Sequence, residues 1–421
     1  MVKLPKDQAL KGIGPIGIAG LVSGATGFII MILTAKLLTP ALNAEFMVFW
    51  SLIMWVFGSL LGIQYETIRS VRAATNNDIS VTSSGSPTAK PDGVRVAIVG
   101  LAMTMVVGFV MFLTSFIWAP RVFGHDPLLS ALIISVTVGL YGGYCAVLGA
   151  LGGKTDWNRA SMLMIAEALI RFMALLIAVT VWANGSVFVK IATCLSVTTW
   201  LVFVIVGKGY RDTFHVRGDS TGKAMVRQTS QVIVANFASS ALVVGFPTLL
   251  GLVVGHSVIQ SSAGLLFAIS MTRAPLLFPL NAFQSVLVAY FVKHDSNAKV
   301  IIRLILGTLG IGIVVAIVAG LVGPPLLTLL RPEYHLTPIV VTGLTMAAAC
   351  LALVVLTGTL TLAIRLHGIC MSGWLVAIVV SISILLVPFP LTMRVIASLL
   401  VGPICGTIIH VGGILRSFSR H

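Results

Sequence analysis

The chain has 421 residues, 57% of them hydrophobic and 9% charged, with a mean hydropathy of +1.06 and a formal net charge of +15. A soluble domain would carry about 25% charged residues, so composition excludes an ordinary soluble protein. Apolar runs of helix length without period-two alternation also exclude an outer-membrane barrel.

What remains is an all-α, polytopic membrane protein. Apolar windows predict twelve spans, at 12–37, 43–68, 95–118, 127–151, 158–182, 185–207, 228–254, 260–292, 300–322, 337–364, 368–388 and 392–415. Most are about 20–28 residues long, enough to cross a core of about 30 Å. The run that opens the chain is read as a retained span, because no A-x-A-like cleavage site follows it.

Loop charge gives an orientation. With the N-terminus inside, the cytoplasmic segments hold twenty Lys and Arg, and the external loops hold Arg121, Arg331 and Arg394. Such a split predicts that both termini are cytoplasmic. The positive charge therefore reads as a match to anionic lipid, and no stretch interleaves basic with aromatic residues as a nucleic-acid groove would.

A basic segment at 208–227 divides the chain into two six-helix lobes, 1–207 and 228–421. Both lobes begin on the same side, so they are expected to be parallel repeats around a central cavity. The Ser/Asn-rich stretch 73–94 reads as a linker.

Several ionisable residues fall at membrane depth. Lys36, Glu45 and Lys190 lie near external helix ends, where snorkelling to the interface is the simplest reading. Glu66 and Arg69, three apart in GIQYETIRSVR, form either an interfacial pair or a gate. Glu167 and Arg171, four apart in the fifth span, share one helix face. They are either a structural ion pair or part of a polar cavity.

Arg273 stands in the eighth span with no acid within one turn. An arginine at the bilayer centre costs about 2.5–3.5 kcal/mol on insertion scales, so it should face protein or water. Either it pairs with an acid on another helix, Glu167 being the evident choice, or it awaits an anionic ligand. Asn281 and Gln284 follow near the same face, and Pro275 and Pro279 would bend the helix there. Pro247 would break the seventh span in the same way. Arg273, Arg171, Glu167, Asn281, Gln284 and Lys36 are the candidate substrate-binding residues, and Glu66 and Arg69 the candidate gate.

Neither the five cysteines nor the eight histidines show metal spacing, and no cofactor is expected. The cysteines all lie in apolar segments, where a disulfide framework is not expected.

The stretch LTAKLLTPALNAEFMVFWSLIMWVFGSLLGIQYETIRSVRAA resembles the opening helix pair of the polysaccharide-exporter, Wzx-like flippase branch of the multidrug/oligosaccharidyl-lipid/polysaccharide (MOP) superfamily. RPEY before the tenth span and GALGGKTDWNRASMLMIAEALIRF around the fifth are similar to that branch as well. The resemblance implies a monomeric flippase, not an enzyme, in a bacterial cytoplasmic membrane. Its substrate would be a polyprenyl-diphosphate-linked oligosaccharide, moved outward by alternating access. A proton, Na⁺ or the membrane potential would drive it. In related flippases a cation sits in the eighth helix, which here would be Arg273. The alternatives are a drug/cation antiporter of the same superfamily and, more distantly, a membrane glycosyltransferase or polymerase.

Overall fold

The computed structural model describes residues 6–84, 93–181, 186–273, 298–364 and 366–418. They form helices throughout, without a β-strand among the described residues. Among the described residues, ten helices are long and apolar enough to cross a membrane, or eleven if one bent pair counts as a span. The protein is a multi-span membrane protein. The expected eighth span is described only as far as Arg273, so Pro275, Pro279, Asn281 and Gln284 lie outside the described residues.

The chain forms two compact units. Unit 1 comprises Met1–Leu38 and Phe49–Ser240; unit 2 comprises Thr39–Val48 and Ala241–His421. This division differs from the lobes 1–207 and 228–421. The chain leaves unit 1 near the end of the seventh span, and the start of the second helix, through Val48, belongs to unit 2.

Unit 1 contains α1 (Lys6–Leu37), most of α2 (Pro40–Ser84), α3 (Val96–Leu113), α4 (Ser115–Val122), α5 (Pro127–Gly153), α6 (Trp157–Val181), α7 (Ser186–Leu195), α8 (Thr199–Val206), the short α9 (Lys208–Arg211) and most of α10 (Gly222–Val243). Helix α2 runs 45 residues. At 1.5 Å per residue that is about 68 Å, far beyond a bilayer core. It therefore takes in 73–84, which sequence had assigned to a linker. The reason is local: no Gly or Pro interrupts the chain between Gly62 and Gly85.

Helix α5 is largely enclosed, packed by α3, α4, α6, α7 and α8. Its YGGYCAVLGALGG run makes that possible. A Cβ at Gly142 would lie 2.5 Å from the Gly100 carbonyl oxygen, and one at Gly149 would lie 2.6 Å from Thr67. Small residues at these crossings let backbones approach, which is how helices gain dispersion contacts where lipid offers no hydrophobic drive.

The basic segment between the halves is ordered. Arg217 pairs with Arg95 in an isolated antiparallel bridge, flanked by bonds from Gly218 N to Val94 O at 3.0 Å and from Val94 N to Ser220 O at 3.2 Å. The segment thus docks on unit 1 instead of floating as a tether.

Unit 2 contains the end of α10, α11 (Phe246–Val254), α12 (His256–Gln260), α13 (Ala263–Arg273), α14 (Ala298–Leu330), α15 (Pro338–Ala363), α16 (His367–Leu385) and α17 (Leu391–Phe418). Helix α15 holds the place that α5 holds in unit 1. It packs on α14, α16 and α17, as α5 packs on α3, α6 and the broken α7–α8 span. The third-to-sixth spans of each half therefore repeat one internal pattern. Lipid-facing positions are apolar: Met105, Val106 and Phe109 on α3 and Val314, Ile317 and Leu321 on α14 are exposed.

Candidate functional site

The seventh span bends by 77° between α10 and α11. The sequence explains the break. Gly245 precedes α11 and Pro247 stands in its first turn. Pro247 has no N–H, so the Val243 carbonyl four residues earlier loses its helical partner. In an apolar interior such a carbonyl must find another donor.

Arg273 supplies it. Its Nη1 donates to Leu242 O at 3.0 Å and to Val243 O at 3.1 Å. The cation meets the negative end of α10, where helix dipoles favour positive charge. Its guanidinium carbon lies 5.4 Å from the centre of the Phe246 ring, a cation–π contact. Arg273 is 7% exposed, and its Nη2 has no hydrogen-bond partner among the described residues. The side chain thus caps a broken helix with one nitrogen.

In unit 1, Glu167 and Arg171 pair on α6, as the spacing predicted. Arg171 donates to Glu167 Oε1 from Nε at 3.1 Å and also from Nη2. Ser196 Oγ donates to the same oxygen at 2.7 Å from the one-turn 3₁₀ break between α7 and α8. Arg171 lies 5.7 Å from the Trp50 ring. Both charges are therefore engaged within unit 1.

Glu66 and Arg69 also pair, with Nη2 and Oε1 2.6 Å apart. Arg69 reaches Asp219 at 3.0 Å and Gln228 at 3.1 Å as well. Ser70 Oγ donates to Asp219 at 2.7 Å and accepts from its backbone N–H at 3.0 Å. Burial by itself would raise the Asp219 carboxyl, but the bonds from Ser70 and Arg69 outweigh it and hold the group below the usual carboxylate range.

Lys36 is exposed in the last turn of α1. Two readings need correction. Lys190, expected to snorkel, is 1% exposed. Its ammonium bonds Ser130 Oγ at 2.7 Å and lies 5.1 Å from the Phe123 ring and 6.0 Å from that of Phe49. Glu45, also expected at an interface, is 2% exposed within unit 2. Ser130, Phe123 and Phe49 all lie 60 or more residues from Lys190 in sequence, so no local pattern could reveal them. His410, on α17, is fully buried with both ring nitrogens bonded. Among the described residues, no three His, Cys, Asp or Glu side chains could hold a metal ion.

With this geometry in view, the fold can be placed. The chain has the fold of the multidrug-resistance (MATE) transporters of the MOP superfamily. An outward-facing member superposes with a TM-score of 0.66 at 15% identity over 97% of this chain and 96% of that one. An inward-facing member gives 0.68 at 13% identity, covering 95% of each. A MOP superfamily transporter from Pyrococcus furiosus, whose binding pocket of reverse polarity suggests a different function, gives 0.64 at 14% identity over 99% of this chain and 98% of that one.

No family model matches the sequence. Relatives do: the chain is 32% identical over 407 residues to the uncharacterized protein Rv1510 of Mycobacterium tuberculosis, covering 95% of this chain and 91% of the relative. It is 31% identical over 408 residues to Rv3630 of the same organism, covering 96% and 91%. The chain belongs to the family of these mycobacterial proteins.

Proposed function

We propose that the protein is a transporter that carries an anionic lipid-linked substrate across the membrane, a polyprenyl-diphosphate-linked oligosaccharide. The observation that carries this reading is Arg273: a buried guanidinium whose charge is met by carbonyls and whose Nη2 has no hydrogen-bond partner among the described residues. A diphosphate is the natural complement, because guanidinium stays protonated and matches phosphate oxygens in a planar fork. Attraction between such charges grows as the dielectric falls.

Drug/cation antiport is the second reading, favoured by the multidrug transporters that share the fold. It needs a buried acid free to bind a cation. Glu167 is engaged by Arg171 and Ser196, and Glu66 by Arg69, which weighs against it. The description of the Pyrococcus transporter as one of reverse polarity offers a precedent, on this fold, for a pocket unlike that of the drug transporters.

The test is reconstitution into liposomes with a fluorescent polyprenyl-diphosphate disaccharide, quenched from outside by dithionite. Wild type should expose the inner-leaflet pool, Arg273→Ala should not, and Arg273→Lys should retain part of the rate. Efflux of a cationic dye without lipid flipping would overturn the reading in favour of antiport.

A further inference from the structure

Three helices of unit 2 meet around a single imidazole. His410, on α17, is 0% exposed. Its Nε2 lies 3.0 Å from the carbonyl oxygen of Cys370 on α16. Its Nδ1 lies 3.0 Å from Thr357 Oγ1 on α15. The slot is shaped for the ring. A Cβ at Gly358 would come within 3.3 Å of His410 Cε1, and one at Gly373 would overlap the ring's Nε2 edge. Trp374 closes the slot edge-on, with ring centres 6.5 Å apart.

The partners fix half of the protonation pattern. A carbonyl only accepts, so Nε2 carries a hydrogen in either charge state. Nδ1 is where the states differ. With a neutral ring, the Thr357 hydroxyl donates to Nδ1. With a protonated ring, Nδ1–H donates to Thr357 Oγ1, and the hydroxyl turns to donate to Leu353 O, 2.8 Å away. Both states are fully hydrogen-bonded, and they differ by one proton at Nδ1 together with rotation of one hydroxyl. A histidine placed only to cross-link helices needs one of these states; this site accommodates two.

The surroundings keep the proton loosely held. Helices α14, α15, α16 and α17 contain no Asp or Glu, and their charged residues are Lys299, Arg303, Arg394 and Arg416. From α16 the ring meets the Cys370 carbonyl, and the Cys370 thiol donates to Gly358 O at 3.6 Å. From α15 the ring meets Thr357, and α14 reaches α15 through the apolar Ile301. An imidazolium here is stabilised by dipoles with no carboxylate to trap it. Cys370 is three residues from the start of α16, about 4.5 Å along its axis, and His367 at that start is exposed.

We propose that His410 is a proton-binding site, loaded and emptied from the end of the unit where α16 begins, and that the proton is thereby the coupling ion of transport. The second clause rests on the transport function proposed above; the first does not.

Two measurements separate them. Imidazole NMR of the full-length protein in nanodiscs, with His410→Gln for assignment, should show a His410 signal that moves with pH between 4.5 and 8.5. Thr357→Val, which removes the Nδ1 acceptor, should move that midpoint to more acid pH by up to about one unit. A His410 signal unchanged from pH 4.5 to 8.5 would overturn the proposal. In the liposome assay, an imposed pH gradient should accelerate wild-type flipping several-fold and leave His410→Gln unaffected. Equal acceleration of both would overturn the coupling role. Failure of wild type to flip lipid at all would fall on the transport reading and leave the titration to decide the proton site.

Discussion

The Nη1 of Arg273 sits 3.1 Å from the Val243 carbonyl that Pro247 strips of its helical partner. A proline and an arginine 26 positions apart in sequence thus form one device: one residue makes a break, the other stabilises it. Replacing Arg273 by Ala should lower stability, because it leaves two buried carbonyls without a donor, at about 1.5–3 kcal/mol for a bond to a charged group. The double change Pro247→Ala with Arg273→Ala should recover part of that loss, since an alanine at position 247 restores a backbone N–H for the Val243 carbonyl. Thermal midpoints in detergent, read by intrinsic tryptophan fluorescence, check this.

The ion pair on α6 makes a different prediction. Arg171→Met leaves Glu167 buried with only Ser196 to bond, and should cost about 3–5 kcal/mol. Replacing both Glu167 and Arg171 by Met should be nearly neutral for folding, because no unpaired charge remains. Fluorescence-detected size exclusion of the single and double variants ranks them. A double variant as unstable as the single would contradict this account.

Lys190 should be sensitive to loss of a small partner. Ser130→Ala removes the 2.7 Å acceptor of a buried ammonium and should cost about 1.5–3 kcal/mol, more than a typical serine substitution. Lys190→Met should be tolerated better than Lys190→Glu, because the surrounding Phe49 and Phe123 rings accept an apolar chain and repel an anion. Thermal midpoints again decide.

The Asp219 contact predicts a pH dependence. Its carboxyl is held below the ordinary value of 3.8, so its contribution is fully present above that value and is lost as pH falls through the lower folded value. Acidification to pH 5 should therefore leave the 212–221 segment docked. Asp219→Asn should loosen it at neutral pH, seen as faster tryptic cleavage at Arg217 and Lys223.

Orientation can be tested with little background, since Cys145, Cys194, Cys350 and Cys370 are buried. A cysteine at exposed Ser257 should react with an impermeant maleimide added to intact cells, and one at exposed Lys154 should react only after the membrane is opened.

The helices themselves were readable. The fifth span, expected at 158–182, is α6 at Trp157–Val181, and the broken seventh span follows from Pro247. Pairs three or four residues apart on one helix, Glu66 with Arg69 and Glu167 with Arg171, were equally legible, because helical geometry fixes their proximity. Partners supplied by other helices were not. Asp219 comes to Arg69 from 150 residues away, and Ser130 comes to Lys190 from 60. The acceptors of Arg273 are backbone carbonyls, which every residue carries, so a search for charged side chains could only ask which acid it met. Lys190 and Glu45 were misplaced because hydropathy locates a residue along a helix but not around it.

The allocation of Thr39–Val48 to unit 2 and of the α10 residues through Ser240 to unit 1 bears on how the protein is made. A ribosome that has finished the first six spans has not yet delivered all of unit 1. Trp55 Nε1 still lacks the Phe237 carbonyl that it bonds at 3.0 Å. Asn43, synthesised almost at the start, waits 291 residues for the Tyr334 hydroxyl 2.8 Å away. Neither unit closes in the order of its codons, so early spans keep polar groups open, Trp55 until the seventh span arrives and Asn43 until the segment before α15 does. Cutting the gene at 208–221 should yield two fragments that accumulate only when expressed together.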